Sequence, residues 1–178
     1  MMLSKFVIIV LSLPLLISFI SCERVDESVS APKQAERIES YLNGSKNPFT
    51  IDNGVYRVKT NKVDNSKGAV VEVGDSLYVY FAEYIFKSAP EEMIYTNIKA
   101  LAEGANLGGG KFSYEPLRIK YGTTDIIKGL EIGLRNSIMG DSLMIYMTSD
   151  NAYKNKATGV VPKYSSISMF VYVKNVIK

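Results

Sequence analysis

The side chains that could do chemistry in this 178-residue sequence are few: it has no histidine and no tryptophan, and its one cysteine is Cys22. Missing histidine removes the commonest general base, the usual zinc ligand and every Ser-His triad. A lone cysteine excludes a disulfide within the chain, an iron–sulfur cluster and a thiol redox pair. Carboxylates, twelve tyrosines, lysines and arginines remain. GDSL occurs at residues 74–77 and 140–143, but a nucleophilic serine there lacks a histidine base, and Gly-Asp-Ser also suits a turn entering a strand. GANLGGGK at 104–111 fails as a phosphate loop at both ends, with Ala105 where a glycine is required and Phe112 where a hydroxyl would hold magnesium. Asp52 and Asp125 sit beside turn-forming residues without a carboxylate cluster, so turn or cap roles are favoured over metal binding. No cofactor and no metal are expected.

Lys5 precedes an apolar or weakly polar run over residues 6–20, shorter than a membrane-spanning helix and followed at once by Glu23, Arg24, Asp26 and Glu27. Phe19-Ile20-Ser21-Cys22 resembles the bacterial lipobox, with a bulky residue three before the cysteine and a small one directly before it. Residues 1–21 are therefore expected to be a lipoprotein signal peptide, Cys22 the lipidation site and 22–31 a polar tether. An ordinary secretory signal with an incidental cysteine is the alternative. Several acyl chains, at about 0.8 kcal/mol per buried methylene, would hold far more firmly than one. This places the protein in the cell envelope with a membrane as partner through the lipid on Cys22; the periplasmic and cell-surface sides stay open, as does the oligomeric state. The formal charge of +3 is spread among interleaved acids and bases, which excludes a nucleic-acid stripe.

The elements that must position any site come next. Ala35, Ile38 and Leu42 share one face, predicting an amphipathic helix over residues 32–44 that starts near Ser30 or Ala31, stops at Asn43-Gly44, and docks on the domain or on a partner. Strands are predicted over 54–58, 68–73, 76–86, 116–121, 142–148 and 166–176. Leu77, Val79 and Phe81 face inward together, as do Leu117, Ile119 and Tyr121, and later Ile167, Met169, Val171 and Val173. A helix is predicted over 125–135 from Ile126, Ile127, Leu130 and Leu134, capped by Thr123, Thr124 or Asp125. Residues 87–111 read as an irregular insertion and 149–165 as a loop. The pattern is α+β: a mainly antiparallel curved sheet of five or six strands wrapped on one short helix, preceded by an extra N-terminal helix, with the domain over 54–178.

DIIKGLEIGLRNSIMGDSLMIYMTSDNAY, followed after a loop by VVPKYSSISMFVYV, resembles the FK506-binding-protein (FKBP) type of peptidyl-prolyl isomerase; the similarity runs from about Gly68 to Val176, and it extends to the lipoprotein members found in Bacteroidetes, where a lipidated terminus and a short helix precede such a domain. The resemblance implies a pocket. Ile127 stands where an aliphatic residue's amide holds the substrate carbonyl, with Ile126 beside it, and Tyr153 stands at the family's pocket tyrosine, a donor to bound peptide. Other positions depart from the family pattern. Leu130 replaces the tryptophan floor, Met169 a final-strand phenylalanine, Phe81 a first-strand tyrosine, and Ile94 and Tyr95 a Phe-Asp pair whose acid is thereby lost.

Such a pocket needs no nucleophile or metal. Rotation about an X-Pro bond takes tens to hundreds of seconds unaided, and binding the twisted amide better than the planar one is enough to speed it. The resemblance thus implies an isomerase acting on proline-containing peptides or exported proteins, weakened by the changed pocket. A non-catalytic peptide-binding or structural envelope lipoprotein is the alternative, since Ile126, Ile127, Leu130 and Met169 are also what a sheet-covering helix and its core need.

Overall fold

The computed structural model describes residues 30–61, 68–107, 113–123 and 126–178; Cys22, the leader, most of the tether, Gly108 to Gly110 and Asp125 lie outside the described residues. Helix α1 (Ala31–Ser45) carries Pro32 in its first turn, where a missing N–H costs nothing. Asn43-Gly44 do not stop it. The Ser45 hydroxyl donates to the Leu42 carbonyl at 2.8 Å, and the chain leaves through Lys46 in the left-handed region at φ 57°.

Seven strands form one antiparallel sheet: β1 (Thr50–Asp52), β2 (Val55–Lys59), β3 (Ser76–Phe86), β4 (Pro90–Thr96), β5 (Leu117–Lys120), β6 (Ser142–Met147) and β7 (Ser166–Ile177). Their order is β1-β2-β6-β7-β3-β4, with β5 also on β3. This exceeds the expected five or six strands, because β1 and β4 carry no clear alternation. The described part of the expected insertion 87–111, residues 87–107, is not irregular: it holds β4 and the short helix α2 (Lys99–Gly104). Register shifts at Glu83/Tyr84 and Tyr84/Phe86 break the period of β4 against its partner, which hides it from the sequence. Conversely, 68–73 makes only an isolated bridge, Val70 to Ile138, since Glu72 is drawn into the turn at Asp75. Leu117, expected inward with Ile119 and Tyr121, is 44% exposed while the other two are buried.

Helix α3 (Lys128–Leu134) is shorter than expected and starts from Ile127, an extended residue with no side-chain cap; Thr123 instead donates to the Lys120 carbonyl. Gly129 and Gly133 let α3 lie close on β6, for a Cβ at Gly133 would come within 2.6 Å of Ile145. The sheet is apolar on both faces. Leu134, Ile145, Val171 and Val79 belong to the core under α3, whereas Ile38 and Leu42 of α1 pack on the other face against Tyr56, Phe86 and Tyr146. Burying each of those two aliphatic side chains is worth about 1.5–3 kcal/mol, so α1 docks on the domain itself.

The two Gly-Asp-Ser segments are the same turn. Gly74 (φ 101°) and Gly140 (φ 92°) take a conformation other residues rarely adopt, and Asp75 and Asp141 accept the amides of Glu72 and Ile138 at 2.8 and 3.1 Å. Strand β3 is longer than either partner on its second edge: β5 covers residues 76–79 and β4 covers 82–86. Asn97 fills the gap, its Oδ1 accepting from the Phe81 amide (2.7 Å) and its Nδ2 donating to the Val79 and Glu115 carbonyls (3.0 Å each).

Candidate functional site

Strand β3, strand β4, the start of α3, strand β7 and the loop after β6 converge on an open cleft of about 580 Å³. Phe81 and Met169 enter from β3 and β7, since inward alternation fixes their faces. Ile94 and Tyr95 come from β4, with the Tyr95 ring tilted 32° on Phe81 at 5.3 Å between centroids. Ile126, Ile127 and Leu130 form the helix side, and Tyr153 closes the far wall. All eight pocket residues expected from the sequence thus line one cavity. A second cavity of about 330 Å³, beside β1 and β2, holds none of them.

At the helix side, Ile127 has φ −63° and ψ 142°, and its carbonyl accepts the Leu130 and Glu131 amides. Among the described residues its own amide has no acceptor. A donor at the N-terminal edge of a helix beside an apolar cavity can hold a carbonyl oxygen.

Two findings correct the expected pocket. The Tyr153 hydroxyl is engaged within the protein, donating to Glu83 Oε1 at 2.8 Å. The acid thought lost at Tyr95 is also supplied: Glu83 lines the cleft from β3, directly across the ladder from Tyr95. Glu83 is only 6% exposed, and burial raises its carboxyl above the usual carboxylate range, opposed by the Tyr153 hydrogen bond. Burial, reinforced by Glu83, pushes the Tyr153 phenol well above the ordinary tyrosine range. The alternation that puts Leu77, Val79 and Phe81 inward continues to Glu83, which was the available signal for it. The rim also includes Gly159, Val160 and Val161, in a turn bridged between Thr158 and Val161; Val160 is 64% exposed, an apolar side chain left in water beside an apolar cavity.

The Tyr153 loop is fastened from the opposite face of the sheet. Buried Gln34 of α1 accepts the Ser149 amide and donates to the Tyr164 carbonyl, each at 2.7 Å. Tyr153→Phe removes the side-chain hydrogen bond that lowers Glu83 and is expected to cost about 1–3 kcal/mol wherever Glu83 is ionised. Because the lost bond was made to the carboxylate, the cost should appear only as pH rises through the Glu83 titration and shrink in acid. Urea denaturation of both proteins across a pH series that spans the Glu83 titration measures it.

With this geometry, residues 90–172 match the family described as FKBP-type peptidyl-prolyl cis-trans isomerase. That stretch holds every cleft residue named above except Phe81 and Glu83. The fold is FKBP-like and resembles the crystal structure of FkpA from Escherichia coli, at a TM-score of 0.60 and 17% identity, over 85% of this chain and 62% of that one. No curated protein matches the sequence.

Proposed function

We propose that the protein is a peptidyl-prolyl cis-trans isomerase of modest turnover that acts on exported proteins from the cell envelope, held there by lipid on Cys22. The observation that carries this reading is the convergence of Phe81, Ile94, Leu130 and Met169 on one open cleft with the Ile127 amide, which has no acceptor among the described residues. Rotation about the X-Pro bond disrupts amide resonance, so the twisted state carries less charge separation than the planar one. An apolar wall that strips water from the amide therefore favours the twisted state. The Ile127 amide would hold the carbonyl while the proline ring lies against the aliphatic floor. Leu130 gives that floor less contact area than a large aromatic, which is why turnover is expected to be modest. A binding module without turnover is the second reading, favoured by the capture of the Tyr153 hydroxyl by Glu83, which leaves the cleft one donor fewer.

The test is cis-to-trans conversion of a proline tetrapeptide panel by the full-length protein purified in detergent. Acceleration over the spontaneous rate is expected. Ile127 already sits at a φ that proline adopts and its amide has no acceptor among the described residues, so Ile127→Pro should fold. Loss of the donor is expected to lower kcat/KM about tenfold beyond the effect of Ile127→Ala. No acceleration across the panel by folded protein would leave the binding module.

A further inference from the structure

The cleft is mainly apolar, and among its described lining residues the one carboxyl, Glu83, has the wrong polarity for a simple peptide clamp. Glu83 stands mid-strand in β3, opposite Tyr95 of β4 and Met169 of β7 in the two ladders, and lines the cavity from an almost fully buried position. A carboxylate can accept about four hydrogen bonds. Among the described residues the one donor side chain bonded to it is Tyr153. Among the described residues no lysine or arginine lines the cavity, so no cation placed there balances the charge from inside it. The Tyr153 proton is committed to Glu83, so the phenol oxygen can offer the cleft only its lone pairs. The polar wall consequently presents acceptors and negative charge in a setting where burial already works against the ionised form.

We propose that Glu83, with Tyr153 bound to it, makes this cleft selective for a lysine or arginine side chain next to the proline of the bound peptide. This deepens the peptide-cleft reading above and rests on it. An incoming ammonium or guanidinium supplies the donors that the carboxylate lacks, in surroundings that screen the attraction weakly. An acidic side chain at the same place meets like charge, and an aliphatic one leaves the carboxylate desolvated without a partner, so the preference combines attraction with exclusion. A carboxylate kept only to stabilise the fold would be expected to pair with a cation of the protein, whereas Glu83 has a neutral phenol and an opening.

The test uses the full-length protein in detergent with tetrapeptides that differ only in one residue before or after proline: lysine, methionine of similar length, or glutamate. Affinity is read by NMR titration, and turnover in the same samples. Lysine is expected to exceed methionine by about tenfold at pH above the Glu83 titration, with glutamate weakest, and Glu83→Gln should bring lysine and methionine near parity. In the unaltered protein the lysine preference should fade as pH drops through the Glu83 titration. Among the residues lining the cleft, the other titratable groups beside Glu83 are Tyr95 from β4 and Tyr153, while β7 and α3 contribute Met169 and Leu130. This pH series decides the matter by itself if Glu83→Gln fails to fold. Equal affinity for lysine and methionine, or a preference that survives Glu83→Gln, overturns the proposal while turnover, if seen, keeps the isomerase reading intact. Selective binding without turnover supports the proposal and removes the isomerase reading. No binding of any peptide overturns both.

Discussion

Gly133→Val is expected to remove about 3 kcal/mol of folding stability, seen as a lower urea midpoint with an unchanged slope. A Cβ at this position would lie 2.6 Å from both Ile145 Cδ1 and Cγ2, and 2.9 Å from Cγ1. Ile145 cannot retreat, because it is buried in mid-strand between Arg57 of β2 and Met169 of β7. Alanine is the informative control. Glycine to alanine within an exposed helix would gain about 1 kcal/mol, so any net loss in Gly133→Ala is the packing cost with that gain already subtracted. Valine adds two methyl groups and a restricted rotamer to the same collision. Relief would come from α3 lifting off β6, which carries Leu130 and Ile127 away from the cleft; peptide affinity should therefore fall along with stability.

Phe86→Ala should be of similar or larger size, about 3–5 kcal/mol, and should act at a distance from its own position. The Phe86 ring is buried beneath α1 and meets Tyr41 of that helix edge-on at 5.6 Å and Tyr146 of β6 at 5.7 Å. Removing it opens a cavity between α1 and the sheet. The helix is also what carries Gln34 to the Ser149 amide and the Tyr164 carbonyl, so loosening α1 slackens both ends of the segment containing Tyr153. Hydrogen exchange is expected to quicken over residues 149–165 as well as over α1, together with the lower midpoint. Protection unchanged in that loop would show the two faces of the sheet to be independent.

Much of this arrangement could be read from residue order alone. Long strands with clean alternation, 76–86 and 166–176, declared both their extent and their inner face, and the inner faces brought Phe81 and Met169 to the cleft. Helix α1 was legible because Ile38 and Leu42 repeat at a helical spacing. Short or bulged pieces were not: β1 has three residues, and β4 is thrown out of period by the shifts opposite Glu83 and Tyr84. Alternation pointed at Glu83, yet an acid at an inward position is read as an exception until a partner is known, and its partner lies 70 residues away in Tyr153. The roles of Gly129 and Gly133 were equally out of reach, since a close approach of helix to strand leaves no mark on either partner's sequence.

Asn97 gives the domain a seam. By bonding Phe81 and Val79 from its side chain, and the Glu115 carbonyl with the same amide, it completes the second edge of β3 and pins the chain's return toward β5. Closing a flexible loop costs only about 0.6 kcal/mol more for each doubling of its length. A graft joining β4 to β5 that keeps Asn97 and the Glu115 carbonyl would thus inherit both attachment points of this edge, and its length could change at that small cost.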